Sequence, residues 1–366
     1  MFSFTGTGSK MHGLRHLLGY NTTKMYSPII LNNEWPTLFR LILMVTFTST
    51  GNIVNGFFVS SFFIETQLRK IGNVYLACVG LADMIISTLV MPAAAVVLIS
   101  KVWDISSVCY SLQFLTQVST YSYNLLFMMV GVETYIRQCR TRACYERFLS
   151  VHVGFISVMI FAVSFVVSGI GVYLGLDYDY CTRETYGNYK FRFVTSVLFY
   201  GIPFMCTMIL LISASQIVRA RAQRLIHYRR SQQYDRDYAF TNLNIGCYIL
   251  FVAAWLPYLI IVNKYPNAPD SKFYNCAWLG LSRSVVTGLV YSGLNRNFRR
   301  AFAHLFYYCC CKSSINVQYN NRHRRAYEYK IGCNDVHVHI MHHSMATHRH
   351  RSPEAGCSRD QSRYTI

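Results

Sequence analysis

The 366 residues are 52% hydrophobic and only 14% charged, whereas about a quarter of a soluble domain's residues carry charge; the balance points away from a soluble fold and towards a membrane protein. A net charge of +19 would fit a nucleic-acid binder if the basic residues formed one stripe, but they fall between and after apolar runs, as topology signals do. The 13 cysteines are too scattered for a disulfide scaffold, and several lie inside apolar runs where a thiol acts as a small hydrophobe.

Residues 1–37 are polar and mixed, with a glycosylation sequon at Asn21-Thr22-Thr23 that matters if this end is translocated. The opening stretch, with Lys10, Arg15 and His16, lacks the apolar core and cleavage site of a secretory signal, so the first span is expected to serve as the targeting signal. That span is Leu38 to Ile64, containing Gly51-Asn52-Ile53-Val54; its small residues permit close helix contact and the Asn52 amide needs a partner. Val74 to Ile99 is the second span. It carries Asp83 roughly ten residues in, about 15 Å deep at 1.5 Å per residue, and Pro92, which should bend its farther half. An acid at that depth is costly and calls for a paired or functional role.

The third span is the core Leu112 to Val132 of a stretch that starts near Cys109 and ends in Glu133-Thr134-Tyr135-Ile136-Arg137-Gln138-Cys139-Arg140. Leu149 to Leu176 follows as the fourth span, then a loop with Cys181, then Phe193 to Ile217 with Pro203 inside it. After a loop containing Arg219, Arg221, Arg224, Arg229 and Arg230 come the sixth span, Phe240 to Val262, with Ala254-Trp255-Leu256-Pro257, and the seventh, Phe273 to Leu294, which holds Arg283. Arg and Lys concentrate in the first, third and fifth connections and in the tail, which places the amino end outside. Cys109 and Cys181 then share an oxidising face, where a bridge between them can form and persist.

Beyond the bundle of 38–294, Phe298, Phe302, Leu305 and Phe306 recur with helical spacing and Arg296, Arg299, Arg300 and His304 take other faces. Residues 295–308 therefore read as an amphipathic eighth helix on the inner membrane surface. Cys309, Cys310 and Cys311 follow at once and suit palmitoylation; 309–366 is a basic tail expected to be disordered. The fold class is an all-α membrane protein, a seven-helix bundle with this eighth helix. No HExxH, Gly-x-Ser-x-Gly or lysine-bearing phosphate loop is present, and the tail histidines lack a preorganising fold for metal, so no enzyme, cofactor or metal is expected.

In motif order the chain resembles the rhodopsin-like (class A) G-protein-coupled receptors. Gly51-Asn52-Ile53-Val54, Leu81-Ala82-Asp83, Trp103 with Cys109, Cys181, Pro203, Trp255-x-Pro257, Tyr291 and Asn297-Phe298-Arg299 carry the likeness from Leu38 to Tyr308. Within that family, Gly72 through Pro92 is most similar to the melatonin-receptor-like branch, which includes the insect moody and trapped-in-endoderm receptors. The resemblance implies a Cys109–Cys181 disulfide and a plasma-membrane receptor for an extracellular small molecule or peptide. It also implies a ligand pocket around Thr116, Gln117, Tyr121 and Trp255 and an activation core of Asn52, Asp83, Pro203, Trp255, Pro257, Arg283 and Tyr291. A heterotrimeric G protein or arrestin-like partner would couple near Glu133, Thr134, Tyr135 and Arg137.

The departures shape the functional expectation. Thr134 occupies the place of the family's third-helix arginine, and Arg137 lies one turn further on. The seventh-helix proline is replaced by Gly288, read as a flexible point, and the fourth-helix tryptophan is missing. Thr116 stands at the amine receptors' aspartate and Leu281 at the opsins' retinal lysine, which disfavours an amine and excludes retinal. At the family's sodium site Arg283 is expected to replace the ion as partner of Asp83, because either charge alone at membrane depth is costly. Thr134 keeps open a receptor-shaped scaffold that activates no G protein. A transporter or channel would predict internal repeats, and none is visible.

Overall fold

The computed structural model describes residues 27–31, 35–64, 68, 73–101, 103–139, 145, 152–181, 183, 186–265 and 268–307. Asn21, Cys309, Cys310, Cys311 and the tail histidines lie outside them. Seven long helices run in chain order: α1 (Thr37–Ile64), α2 (Val74–Ser100), α3 (Ser106–Cys139), α4 (Val153–Tyr173), α5 (Tyr189–Arg224), α6 (Gln232–Lys264) and α7 (270–294). A further helix, α8, occupies 296–307, and the described residues contain no strand. The chain divides into two units, Met1–Ala303 and His304–Ile366; the bundle belongs to the first.

Five helices, α1, α2, α4, α5 and α6, are long and apolar enough to cross a membrane. The other two fall short for a physical reason. α3 buries Gln113, Ser119, Thr120, Ser122, Asn124, Glu133 and Thr134, and α7 buries Arg283, Ser284 and Thr287; among the described residues, all of these except Ser122 hydrogen-bond inside the protein. α4 shows the opposite arrangement: Ser157, Ser164, Ser168 and Gly171 are buried while Phe155, Val158, Met159, Val163, Phe165 and Val166 are exposed. Small residues against protein and large apolar ones outward is the pattern of a helix solvated by lipid.

Two of the prolines sit behind widened turns. Pro92 follows a π-helical segment at Ile86–Val90, and Pro203 follows one at Val197–Gly201. A proline ring meets the carbonyl four residues before it and offers no N–H; here those carbonyls belong to Thr88 and Phe199, inside the wide turns, which absorb the misfit. Pro257 lies within the continuous helix α6.

The seventh helix departs from expectation in where it breaks. A 3₁₀ turn at Arg283–Val285 separates Asp270–Ser282 from Val286–Leu294, so the irregularity lies before Gly288. Gly288 instead serves contact: a Cβ there would come within 2.9 Å of the Asn55 Oδ1 and press on Val54. Its missing side chain lets α1 approach α7, and Asn55 Nδ2 donates to the Ser284 carbonyl at 2.7 Å, next to the broken turn.

Two large apolar clusters fill most of the bundle, with a smaller one at Phe114, Val118 and Val172. Towards the disulfide, Met44, Val90, Leu112, Tyr178, Phe273 and Trp278 pack together. Towards the opposite end, Phe58, Tyr123, Phe127, Tyr248, Phe251, Tyr291 and Phe298 form an aromatic column, with Tyr123 and Phe251 stacked at 4.1 Å and Phe58 and Phe298 at 5.0 Å. Phe298 ties the start of α8 to α1 and α7 through Phe58, Phe62 and Tyr291.

Candidate functional site

Three polar assemblies are stacked along the bundle. At one end Cys109, in the first turns of α3, is bonded to Cys181 with a Cα–Cα distance of 5.9 Å. The loop before Cys181 is folded tightly. The Asp177 N–H donates to the Gly171 carbonyl at 2.9 Å, the Asn188 N–H donates to the Leu176 carbonyl at 2.8 Å, and Asn188 caps α5 by accepting from the Lys190 N–H at 2.9 Å. Gly187 has φ +61°, and a Cβ on it would lie 2.6 Å from the Leu176 carbonyl oxygen; only glycine combines that backbone conformation with that approach. Arg183 clamps the loop to the start of α7, donating Nε to the Tyr178 hydroxyl at 2.9 Å and Nη2 to the Ala268 carbonyl at 2.9 Å and pairing with Asp270.

Beneath this loop is a pocket with about 660 Å³ of non-atom space, its open mouth included, lined by residues of α3, α5, α6, α7 and the loop. Thr116, Gln117, Tyr121 and Trp255 all line it, which brings three side chains of α3 together with one from α6. Tyr121 stacks on Phe199 at 4.4 Å. Trp255 has its six-membered ring against the backbone of Gly280, where a Cβ would lie 2.7 Å away, and it contacts Tyr258 at 5.0 Å. Asp177, Arg192, Tyr200 and Tyr258 line the same space; no local pattern in the sequence marks them. Gln117 Nε2 donates to Asp177 Oδ2 at 2.6 Å and the Tyr178 N–H donates to Oδ1 at 2.7 Å. Burial raises the Asp177 carboxyl above its ordinary value, opposed by the Tyr178 amide, Gln117 and Arg192.

In the middle of the bundle Arg283 Nη1 reaches Asp83 Oδ1 at 2.7 Å, with the two side chains 1% and 0% exposed. Arg283 Nη2 donates to the Ser119 and Thr120 hydroxyls at 2.8 and 3.1 Å, and Thr287 donates to Asp83 Oδ2 at 2.7 Å. Tyr123 joins through its hydroxyl, 3.1 Å from that of Thr287. The guanidinium lies 5.3 Å from the Tyr123 and Phe251 ring centres and 5.7 Å from Trp255, so the pocket's tryptophan also touches the buried ion pair. Nearly every charge-bearing atom is satisfied, the condition for a buried pair to be tolerated. Asn52 lies elsewhere: it accepts from Thr88 at 2.6 Å and Ser87 at 3.1 Å on α2, while the α1-to-α7 bond comes from Asn55. Asn55 sits one helical turn after Asn52, and its burial could have been read from that spacing.

The end away from the disulfide holds the third assembly. Glu133 pairs with Arg137 at 3.5 Å and accepts from the Tyr145 hydroxyl at 2.6 Å; burial and the Glu133 charge both raise the Tyr145 phenol. Thr134 is buried, accepts from Asn244 Nδ2 at 3.4 Å and donates weakly to Glu133. Tyr291 in turn donates to Asn244 Oδ1, so a neutral chain links α3, α6 and α7. Arg137 stacks over Phe240 at 5.1 Å and Arg221 Nη2 caps the Gln138 carbonyl at 2.6 Å. Tyr135 is half-buried on the flank of α3.

The family model described as "7 transmembrane receptor (rhodopsin family)" matches residues 54–291. Among curated proteins, the histamine H2 receptor of Cavia porcellus is 23% identical over 292 residues, 75% of this chain and 80% of that one. The human histamine H2 receptor is 21% identical, covering 74% and 79%, and the Drosophila melanogaster tachykinin-like peptides receptor 86C is 22% identical, covering 80% and 64%. Disulfide, pocket, mid-bundle polar core and lipid-facing helices belong to one architecture, and by that match the chain belongs to the rhodopsin family of seven-transmembrane receptors, a multi-pass membrane receptor and not an enzyme.

Proposed function

We propose that this receptor stands in the plasma membrane with its amino end outside, takes a small-molecule or peptide ligand in the pocket beneath the Cys109–Cys181 loop, and signals to a G protein at the Arg137 end. The observation that carries the reading is Trp255, which lines the pocket and lies 5.7 Å from the Arg283 guanidinium. A ligand that prefers one position of this ring shifts the equilibrium between bundle states by its differential affinity, and a few kcal/mol suffice. Pro203 and Pro257 are the bending points through which the inner parts of α5 and α6 open. The Arg283–Asp83 pair occupies the place that the resemblance assigns to a sodium ion, so the receptor's ligand response should not depend on sodium. Receptor activity measured against sodium concentration in wild type and Arg283→Asn tests this, and a strong sodium effect in wild type would reject the assignment.

Thr134 supports a second reading. The Thr134–Asn244–Tyr291 chain offers no guanidinium to a G protein and holds α3, α6 and α7 together with neutral bonds, which fits a receptor-shaped scaffold. Nucleotide exchange by purified heterotrimers, measured with wild type and Thr134→Arg across a ligand library, separates the two. Exchange driven by wild type supports the receptor reading; exchange seen only with Thr134→Arg supports the scaffold.

A further inference from the structure

The pocket contains a carboxylate, Asp177, with no ion-pair partner at contact distance among the described residues, where its only hydrogen bonds are those from Gln117 and the Tyr178 N–H. Each of its oxygens accepts one bond and has capacity for another. Gln117, having turned its amide N–H₂ to Asp177, keeps a buried Oε1 with no partner. Both groups line the pocket, so one wall presents acceptors that need donors.

Arg192, the cation sharing this pocket, does not supply them. Its Nη1 is committed to the Val262 carbonyl at 2.7 Å, and it makes no ion pair with Asp177. Asp177 is half-buried and feels Arg192 only as a nearby charge, not as a hydrogen-bonded partner. A carboxylate so placed has lost part of its hydration without gaining an ion pair, so a cationic ligand would find there an acceptor that is cheap to desolvate further. The surrounding Tyr121, Tyr200, Trp255 and Tyr258 offer ring faces, which attract cations as well as apolar bodies.

We infer that the pocket takes a small ligand with a protonated amine on an aromatic or apolar body, the ammonium donating to the Asp177 carboxylate and the Gln117 Oε1. The inference rests on the reading of this pocket as the ligand site. The acid does not come from the Thr116 position on α3: the loop held by Gly187 and the disulfide delivers Asp177 beside Gln117, one residue further along α3.

The test uses the full-length receptor in lipid nanodiscs and a panel of 2-phenylethylamine, tyramine, tryptamine and histamine, each compared with the alcohol that replaces its amine, with saturable binding as the readout. At least one amine binds, its alcohol binds at least about tenfold more weakly, and Asp177→Asn weakens the amine about 10- to 100-fold. If Asp177→Asn does not fold, Gln117→Leu must weaken the same amine, and the amine–alcohol comparison in wild type stands without any variant. Alcohols that bind as well as amines, or an absence of amine binding, overturn the proposal. Binding that survives Asp177→Asn but is lost in Tyr121→Leu rejects the cation contact and keeps the pocket; binding indifferent to both rejects the pocket reading itself.

Discussion

At the scale of single residues, the Arg283–Asp83 pair gives the sharpest expectation. Removing one member leaves the other charge buried without compensation, which costs about 3–5 kcal/mol, whereas replacing both with neutral groups of similar volume is far less harmful. Arg283→Leu and Asp83→Asn should each lower the thermal midpoint of the purified receptor sharply, and the double variant should recover much of the loss. Equal, additive losses would mean the two charges are not coupled. Asp177 makes a pH prediction. Its carboxyl is raised in the folded protein above its unfolded value, so its contribution to stability is present in acid and is lost as pH rises through the folded value. Wild type should therefore lose stability relative to Asp177→Asn between acidic and neutral pH in ligand-free thermal scans, and parallel curves would contradict this.

At the scale of helices, much was legible in the residues and some was not. Five runs are long and apolar enough to span, the third and seventh carry the polar residues that turn inward, and two ionisable residues at similar depth, Asp83 and Arg283, announce their own pairing because lipid offers neither a partner. The four pocket residues on α3 and α6 were legible only through the resemblance to the receptor family, which assigns them by their places relative to Cys109 and Pro257. Asp177 was not legible: its position depends on a disulfide, on Gly187 and on backbone bonds between segments, none of which has a period. Gly288 was read as flexible, yet its role is a close contact that only the partner helix reveals. Gly288→Ala should destabilise by about 1–3 kcal/mol, since Val54 and Asn55 would have to move. Gly56→Ala meets nothing within 4 Å and should be neutral or stabilise by up to about 1 kcal/mol, as expected in a helix interior. Thermal melts of the two variants in the same detergent check the pair.

Across the whole molecule, the disulfide closes a sequence separation of 72 residues, and its loss is expected to cost about 2–5 kcal/mol. Because the same bond anchors the loop that supplies Asp177, a Cys109→Ser/Cys181→Ser double variant should lose ligand binding at temperatures where the bundle is still helical by circular dichroism. Retained binding would mean that Arg183 and Gly187 suffice to hold the loop. Length matters as well. α4 has 21 residues and is about as long as the hydrocarbon layer is thick, whereas α6 has 33 and must extend some 15–20 Å beyond it. Pro257 stands near one end of that rod, about 25 residues and so about 37 Å from Gln232. On the proposed reading the sixth helix would work as a lever: a change of about 10° at Pro257 would sweep its far end through about 6 Å, so a small displacement of the Trp255 ring would become a far larger movement at the other face of the membrane.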